Sequence, residues 1–127
     1  MSIDSGRRAF VAIAACALAA ILPVPALAQA VFPSKPIHMI VPFPPGGVSD
    51  AAARLVAEAL SKRLGKEVVV ENKPGATGNI AGQYVAQSEP DGYTIMLVYN
   101  GVLTINPFVF AKMPFDATKD FTPIGKI

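Results

Sequence analysis

Two short stretches hold the residue types best suited to gripping a ligand: Pro44-Pro45-Gly46-Gly47-Val48-Ser49-Asp50 and Pro74-Gly75-Ala76-Thr77-Gly78-Asn79. Proline stiffens the entry, while glycine admits positive φ and lets backbone N–H groups approach a ligand closely. If each stretch opens a helix, unpaired N–H groups and the positive end of the helix dipole add to the effect. The chemistry is recognition of an anion such as a carboxylate. Ser49 can donate a hydrogen bond. Asp50 cannot attract an anion, and is expected to cap the helix or hold a bridging water. Thr77 and Asn79 are also possible caps. The plainer alternative for each stretch is a tight strand-to-helix turn. Two such helix starts on adjacent loops suit a dicarboxylate, or the two ends of a small carboxylated molecule. Neither is a phosphate fingerprint, since Gly-Lys-Ser/Thr and G-x-G-x-x-G are both missing.

Catalytic constellations are not evident. His38 is the sole histidine and falls inside a strand-like run, which favours a structural place. Asp50, Glu71, Asp91 and Asp116 are scattered among caps and turns, without a His or Cys partner. H-E-x-x-H, G-x-S-x-G and C-x-x-C do not occur, so no catalytic residue, metal ligand or cofactor is assigned. Tyr84, Tyr93 and Tyr99 have element spacing and are expected in the core. Phe43 is the exception, standing at the mouth of the first loop.

The elements that must position these loops alternate. After a Pro-containing lead-in, Val31 to Pro36, the run IHMIVPF (Ile37 to Phe43) reads as a strand covered on both faces. Ser49 to Leu64 has helical period. Ala52, Leu55, Val56, Ala59, Leu60 and Leu64 share one face, opposite Arg54, Glu58 and Lys62. Gly65 can end that helix in a left-handed conformation. EVVVE (Glu67 to Glu71) predicts a second strand. A second helix follows from about Ile80 to Ser88, with Ile80, Tyr84 and Val85 inward. YTIMLVY (Tyr93 to Tyr99) predicts a third strand. A short helical or irregular segment precedes Pro107, and another extended run is expected from Phe121 to Ile127. Strand–helix–strand–helix–strand order implies right-handed crossovers and an α/β fold with a parallel sheet. The loops Pro44 to Asp50, Asn72 to Asn79 and Asn100 to Thr104 then emerge along one edge, where such sheets bind ligands.

Composition sets the surroundings. The chain has 127 residues, at most one modest domain, and 52% of them are hydrophobic. Much of that excess lies in the first thirty. Arg7 and Arg8 precede an apolar run from Ala9 to Leu22, followed by Pro23, Pro25 and Ala26-Leu27-Ala28. This is the pattern of a secretory signal peptide over residues 1–30, cleaved after Ala28 or Ala30. The run is short for a bilayer-spanning helix, which leaves an uncleaved anchor as the alternative. Arg7-Arg8-Ala9-Phe10 resembles a twin-arginine export pattern. Ile13-Ala14-Ala15-Cys16 resembles a lipoprotein box, but lipidation there would leave a greasy start to the mature chain. Cys16 is the only cysteine, so residues 31–127 offer neither disulfide nor thiolate. Without Asp4, Arg7 and Arg8 the chain carries nine basic and eight acidic residues, a net of +1. These charges are scattered, which argues against a nucleic-acid partner. A periplasmic location is expected.

Four motifs carry a resemblance. P-[FY]-x-P-G-G-x-x-D stands at Pro42 to Asp50, V-V-E-N-[KR]-P-G-A-x-G-N-I at Val69 to Ile80, D-G-Y-T at Asp91 to Thr94, and P-[FY]-D-x-x-K-D-F-x-P-I at Pro114 to Ile124. In that order they resemble the substrate-binding proteins of tripartite tricarboxylate transporters, the Bug family. The resemblance implies a type II periplasmic-binding-protein fold of two α/β domains closing over a small carboxylate or dicarboxylate. It also implies membrane transporter subunits as partners and, for some members, a sensor protein. Carried over by motif position, the ligand-binding residues are Gly46, Gly47, Ser49 and Asp50 from loop one, and Thr77, Gly78 and Asn79 from loop two. Asn100 and Thr104 come from loop three, and Phe43 joins them at the loop-one mouth. Thr is common in the family where Ser49 stands, and Gly where Thr77 stands. Because family members run to about twice this length or more, residues 31–127 would be the early part of domain one, with the second domain absent. A chain so shortened is expected to fold marginally and bind weakly or not at all. The competing readings are an exported α/β enzyme whose catalytic residues lie beyond Ile127, and an inactive remnant.

Overall fold

The computed structural model describes residues 31–126. The expected signal peptide, its arginine pair and Cys16 lie outside the described residues. Strand β1 is Ile37–Val41, two residues shorter than the apolar run suggested. Pro42 ends it, because proline has no N–H for the ladder. Helix α1, Val48–Leu64, follows loop one. Then come β2 (Val68–Asn72) and a one-turn 3-10 segment (Ala76–Gly78) that leads directly into α2 (Asn79–Ala86). Strand β3 is only Thr94–Met96, not the seven residues the apolar run predicts. A π-helical turn, Gly101–Ile105, continues into α3, Asn106–Val109. Pro107 sits inside the first turn of α3 rather than after it, where its missing N–H is harmless. Residues 121–126 join no strand, so the extended run expected there is not a sheet element.

The sheet order is β2-β1-β3, with both pairs parallel. Ile37 to Val41 align with Val68 to Asn72 on one side. On the other, His38 to Ile40 align with Thr94 to Met96. The chain runs outward from β1 to β2 and back across to β3. Right-handed crossovers therefore put α1 and α2 on opposite faces of the sheet.

Alternation along β1 separates two packed surfaces. Ile37, Met39 and Val41 are buried with Ala53, Ala57 and Val68, flanked by Val56, Leu60 and Val70. Ile40 is fully buried on the other side, where α2 packs and buries Ala81. The buried stripe of α1 is thus Asp50, Ala53 and Ala57, with Val56 and Leu60 beside it. Sequence periodicity had placed Ala52, Leu55 and Ala59 inward, yet Leu55 is 69% exposed. The helix is rotated because Asp50 is bonded into the end of the sheet, and Ala53 and Ala57 lie one and two turns along the same line.

The far end of α1 is tied down as well. Gly65 is left-handed (φ 66°, ψ 18°), and its N–H reaches Ser61 O at 3.0 Å, ending the helix as the sequence predicts. The Ser61 hydroxyl donates to Ala57 O at 2.8 Å and accepts the Val68 N–H at 2.9 Å, binding the helix end to the start of β2. On α2 the inner positions are Asn79, Ala81 and Gly82, whereas Ile80 and Tyr84 are exposed. Gly82 faces the Phe115 ring so closely that a Cβ would lie 2.4 Å from it. No described helix is long and apolar enough to cross a membrane.

Candidate functional site

All three sheet strands end at the same edge, so the three loops meet there. Loop one leaves Pro42 and rises to the start of α1, leaving an open depression of about 440 Å³ along Phe43 to Ser49. The helix begins at Gly47, an extended residue, and no side chain among the described residues caps it. Its first amides, Val48, Ser49 and Asp50, precede the first helical bond, Ala51 N–H to Gly47 O. Ser49 and Asp50 are therefore not caps; they lie inside the first turn.

Asp50 is 4% exposed and holds the loop together. Its Oδ2 accepts the Gly46 N–H and the Arg54 Nε–H, each at 3.0 Å. Its Oδ1 accepts the Asn72 side-chain amide at 3.0 Å, and the same amide donates to Phe43 O at 3.0 Å. The Arg54 bond, then the Gly46 amide and Asn72, hold the Asp50 carboxyl down to about 2. With both oxygens engaged, Asp50 shapes loop one, and the Gly46 amide is turned toward it. Among the described residues nothing engages the amides of Gly47, Val48 and Ser49 or the Ser49 hydroxyl, which leaves them open to a ligand.

Loop two is a left-handed run. Gly75 (φ 127°), Ala76 (46°), Thr77 (55°) and Gly78 (91°) all have positive φ. The Gly78 N–H closes onto Gly75 O at 2.9 Å, and the Asn79 N–H onto Ala76 O. Thr77 and Asn79 do not cap α2, which starts at Gly78 without a side-chain cap. Gly78 is packed between Val102 and Pro42, too close for any side chain. Asn79 is buried, and its Oδ1 accepts the Asn106 amide at 2.7 Å. Thr77 is exposed, with its carbonyl bonded to Asn106 Nδ2 at 3.0 Å and Tyr99 OH at 3.2 Å.

Those two donors flank loop three, Tyr99 just before it and Asn106 at the start of α3. Asn100 is exposed, and Thr104 donates its hydroxyl to Asn100 O at 2.7 Å. Tyr99, expected in the core, is 38% exposed and lies against Phe43 with ring centroids 5.3 Å apart. The ten residues singled out from the sequence thus gather along one edge. Phe43, Gly47, Ser49, Thr77 and Asn100 present themselves to solvent in whole or part. Gly46 and Thr104 are exposed as well, though the Gly46 amide is bonded to Asp50 and the Thr104 hydroxyl to Asn100 O. Asp50, Gly78 and Asn79 are buried. Sequence reading passed over Arg54, Asn72, Tyr99 and Asn106. Arg54 four residues after Asp50 was a legible signal for an ion pair; the partners of Asn72, Tyr99 and Asn106 are 22 to 29 residues away and left none.

Elsewhere, His38 pairs with Glu71 across β1 and β2, a structural role in line with its place in the strand. That bond, with Lys73, lowers the Glu71 carboxyl. A separate hollow of about 320 Å³ lies between α3 and residues 115–118. Its polar members, Asp116 and Thr118, bond each other. Among the described residues no group of three or more His, Cys, Asp or Glu could hold a metal ion.

Comparison with known proteins bears on this edge. Residues 52–127 match the family described as "Tripartite tricarboxylate transporter family receptor". A UPF0065 protein of Bordetella bronchiseptica is 44% identical over 106 residues, covering 84% of this chain and 32% of that protein. MatC from Rhodopseudomonas palustris, solved with bound malate, is similar in structure with a TM-score of 0.69. It is 37% identical over 72% of this chain and 31% of its own. An R. palustris protein solved with adipate gives a TM-score of 0.65 and 38% identity, over 68% of this chain and 29% of its own. The chain spans about a third of the length of the curated relatives it matches. The α/β fold with a parallel sheet is the periplasmic-binding-protein fold expected from the sequence.

Proposed function

The chain belongs to the tripartite tricarboxylate transporter receptor family, and from that premise we propose that it serves in a periplasmic receptor that captures a small carboxylate. Residues 1–30 act as the export signal in this reading, and residues 31–127 form part of the first substrate-binding domain. The receptor delivers its ligand to membrane transporter subunits, and a sensor protein is a further partner. It binds without transforming, so no residue is given a catalytic role.

One observation carries the reading: the uncapped start of α1 adjoins loop two at a single sheet edge. In the proposed site the amides of Gly47, Val48 and Ser49, with the Ser49 hydroxyl, receive carboxylate oxygens. Thr77 and Asn100 border the ligand from loops two and three, and Thr104 stands behind Asn100. Phe43 forms the apolar wall. Gly46, Asp50, Gly78 and Asn79 fix the backbone that presents these groups. A MatC structure holding malate and an R. palustris neighbour holding adipate support a dicarboxylate as the ligand class.

The test is an NMR titration of the ¹⁵N-labelled chain with malate and with adipate, against their neutral diesters. Saturable shifts at Gly47, Val48 and Ser49 with the acids alone are expected. Equal response of these amides to diester and acid, or acid-specific shifts confined to other residues, would exclude the site.

A further inference from the structure

Resting on that receptor reading, we infer that Tyr99 and Asn106 are a positioning pair that sets the shape of loop two through one atom, the Thr77 carbonyl oxygen. Loop two holds Ala76 and Thr77 at φ 46° and 55°. Side chains disfavour this left-handed region, and it persists only where the surroundings over-determine it. Both lone pairs of the Thr77 carbonyl are occupied, by the Tyr99 hydroxyl at 3.2 Å and the Asn106 amide at 3.0 Å. The Asn106 amide also donates to Asn79 Oδ1 at 2.7 Å. Asn106 is 3% exposed, so water does not replace it readily.

Tyr99 reaches this carbonyl because Gly101 leaves room for its ring. A Cβ at Gly101 would lie 2.2 Å from Tyr99 Cε2. The same ring meets Phe43 of loop one. One tyrosine therefore touches both anion-facing loops, and its neighbour on α3 clamps the second. The functional consequence follows from charge. A free Thr77 carbonyl at this edge would present its negative end to a carboxylate. Engaged by two donors, it does not.

Hydrogen exchange of the ¹⁵N-labelled full chain tests the pair. The amides of Gly78 and Asn79 close the loop-two turn and report its shape. In Tyr99→Phe and in Asn106→Asp their exchange should rise about threefold to tenfold, the worth of a lost hydrogen bond. Amides of the β1–β2 ladder should exchange at the wild-type rate, which separates local loosening from general destabilisation. Malate affinity should fall in the same variants. Unchanged exchange at Gly78 and Asn79 in both would overturn the pair. If Asn106→Asp does not fold, Tyr99→Phe decides alone, because it keeps the ring on Phe43 and removes only the donor. Loosened exchange in a chain whose loop-one amides respond equally to acid and diester would uphold the pair while defeating the receptor reading.

Discussion

Asp50 accepts the side-chain amide of Asn72 at 3.0 Å, which fastens the first turn of α1 to the last residue of β2. Since Asn72 also donates to Phe43 O, one side chain holds both ends of loop one. The Gly-rich loop is thus braced from the neighbouring strand, and its open amides are presented in fixed positions.

That brace predicts how Asp50 variants behave. Asp50→Asn keeps the volume but loses the charge that draws Arg54 and the Gly46 amide. Its denaturant midpoint should fall below wild type, and Asp50→Leu should fall further because Asn72 then loses one of its two acceptors. A midpoint for Asp50→Leu equal to wild type would show the brace to be unimportant.

The same carboxylate sets an acid dependence. Asp50 titrates at about 2 in the folded chain against an ordinary 3.8, and Asp116, bonded chiefly by Thr118, does likewise. Between these values the unfolded chain binds more protons than the folded one. Their contribution is therefore complete above about pH 4 and declines as pH drops toward 2. Denaturation midpoints measured across this range should fall less steeply in Asp50→Asn than in wild type.

Glycine positions at the site should differ sharply in tolerance. Gly46→Ala meets open space and suffers only backbone strain at φ 88°, about 1–2 kcal/mol. Gly78→Ala adds a Cβ 2.6 Å from Val102 to similar strain at φ 91°, and overpacking contributes roughly 1–3 kcal/mol more. Chemical denaturation of the two variants compares them directly. Equal losses would mean that Val102 moves aside freely.

Ser49→Ala separates binding from folding. Ser49 is half-buried within the first turn of α1. Its hydroxyl should contribute a charge-assisted bond worth about 1.5 kcal/mol, roughly tenfold in dicarboxylate affinity. Thermal stability should stay at the wild-type level. A stability loss without any change in malate affinity would assign the hydroxyl to the scaffold.

Much of this architecture was legible in local pattern. The strand–helix alternation, the stop at Gly65 and the two Gly-rich loops each rest on neighbours within a few residues. Helix facing was misjudged for the same reason. Leu55 looked inward by period, but the rotation of α1 is set by Asp50 meeting a residue 22 positions away. Ile80 and Tyr84 were misjudged similarly, because α2 packs through Gly82 against Phe115.

The sequence by itself determined that two proline- and glycine-rich turns follow strands and open helices, since the φ preferences of proline and glycine act within a few bonds. Only the tertiary structure decided which amides stay open and which are engaged. That choice depends on side chains such as Asn72, Tyr99 and Asn106, brought to the loops by the sheet order β2-β1-β3. Hydrogen bonds between residues distant in the chain leave no periodic trace, and they settle only when the strands are in register.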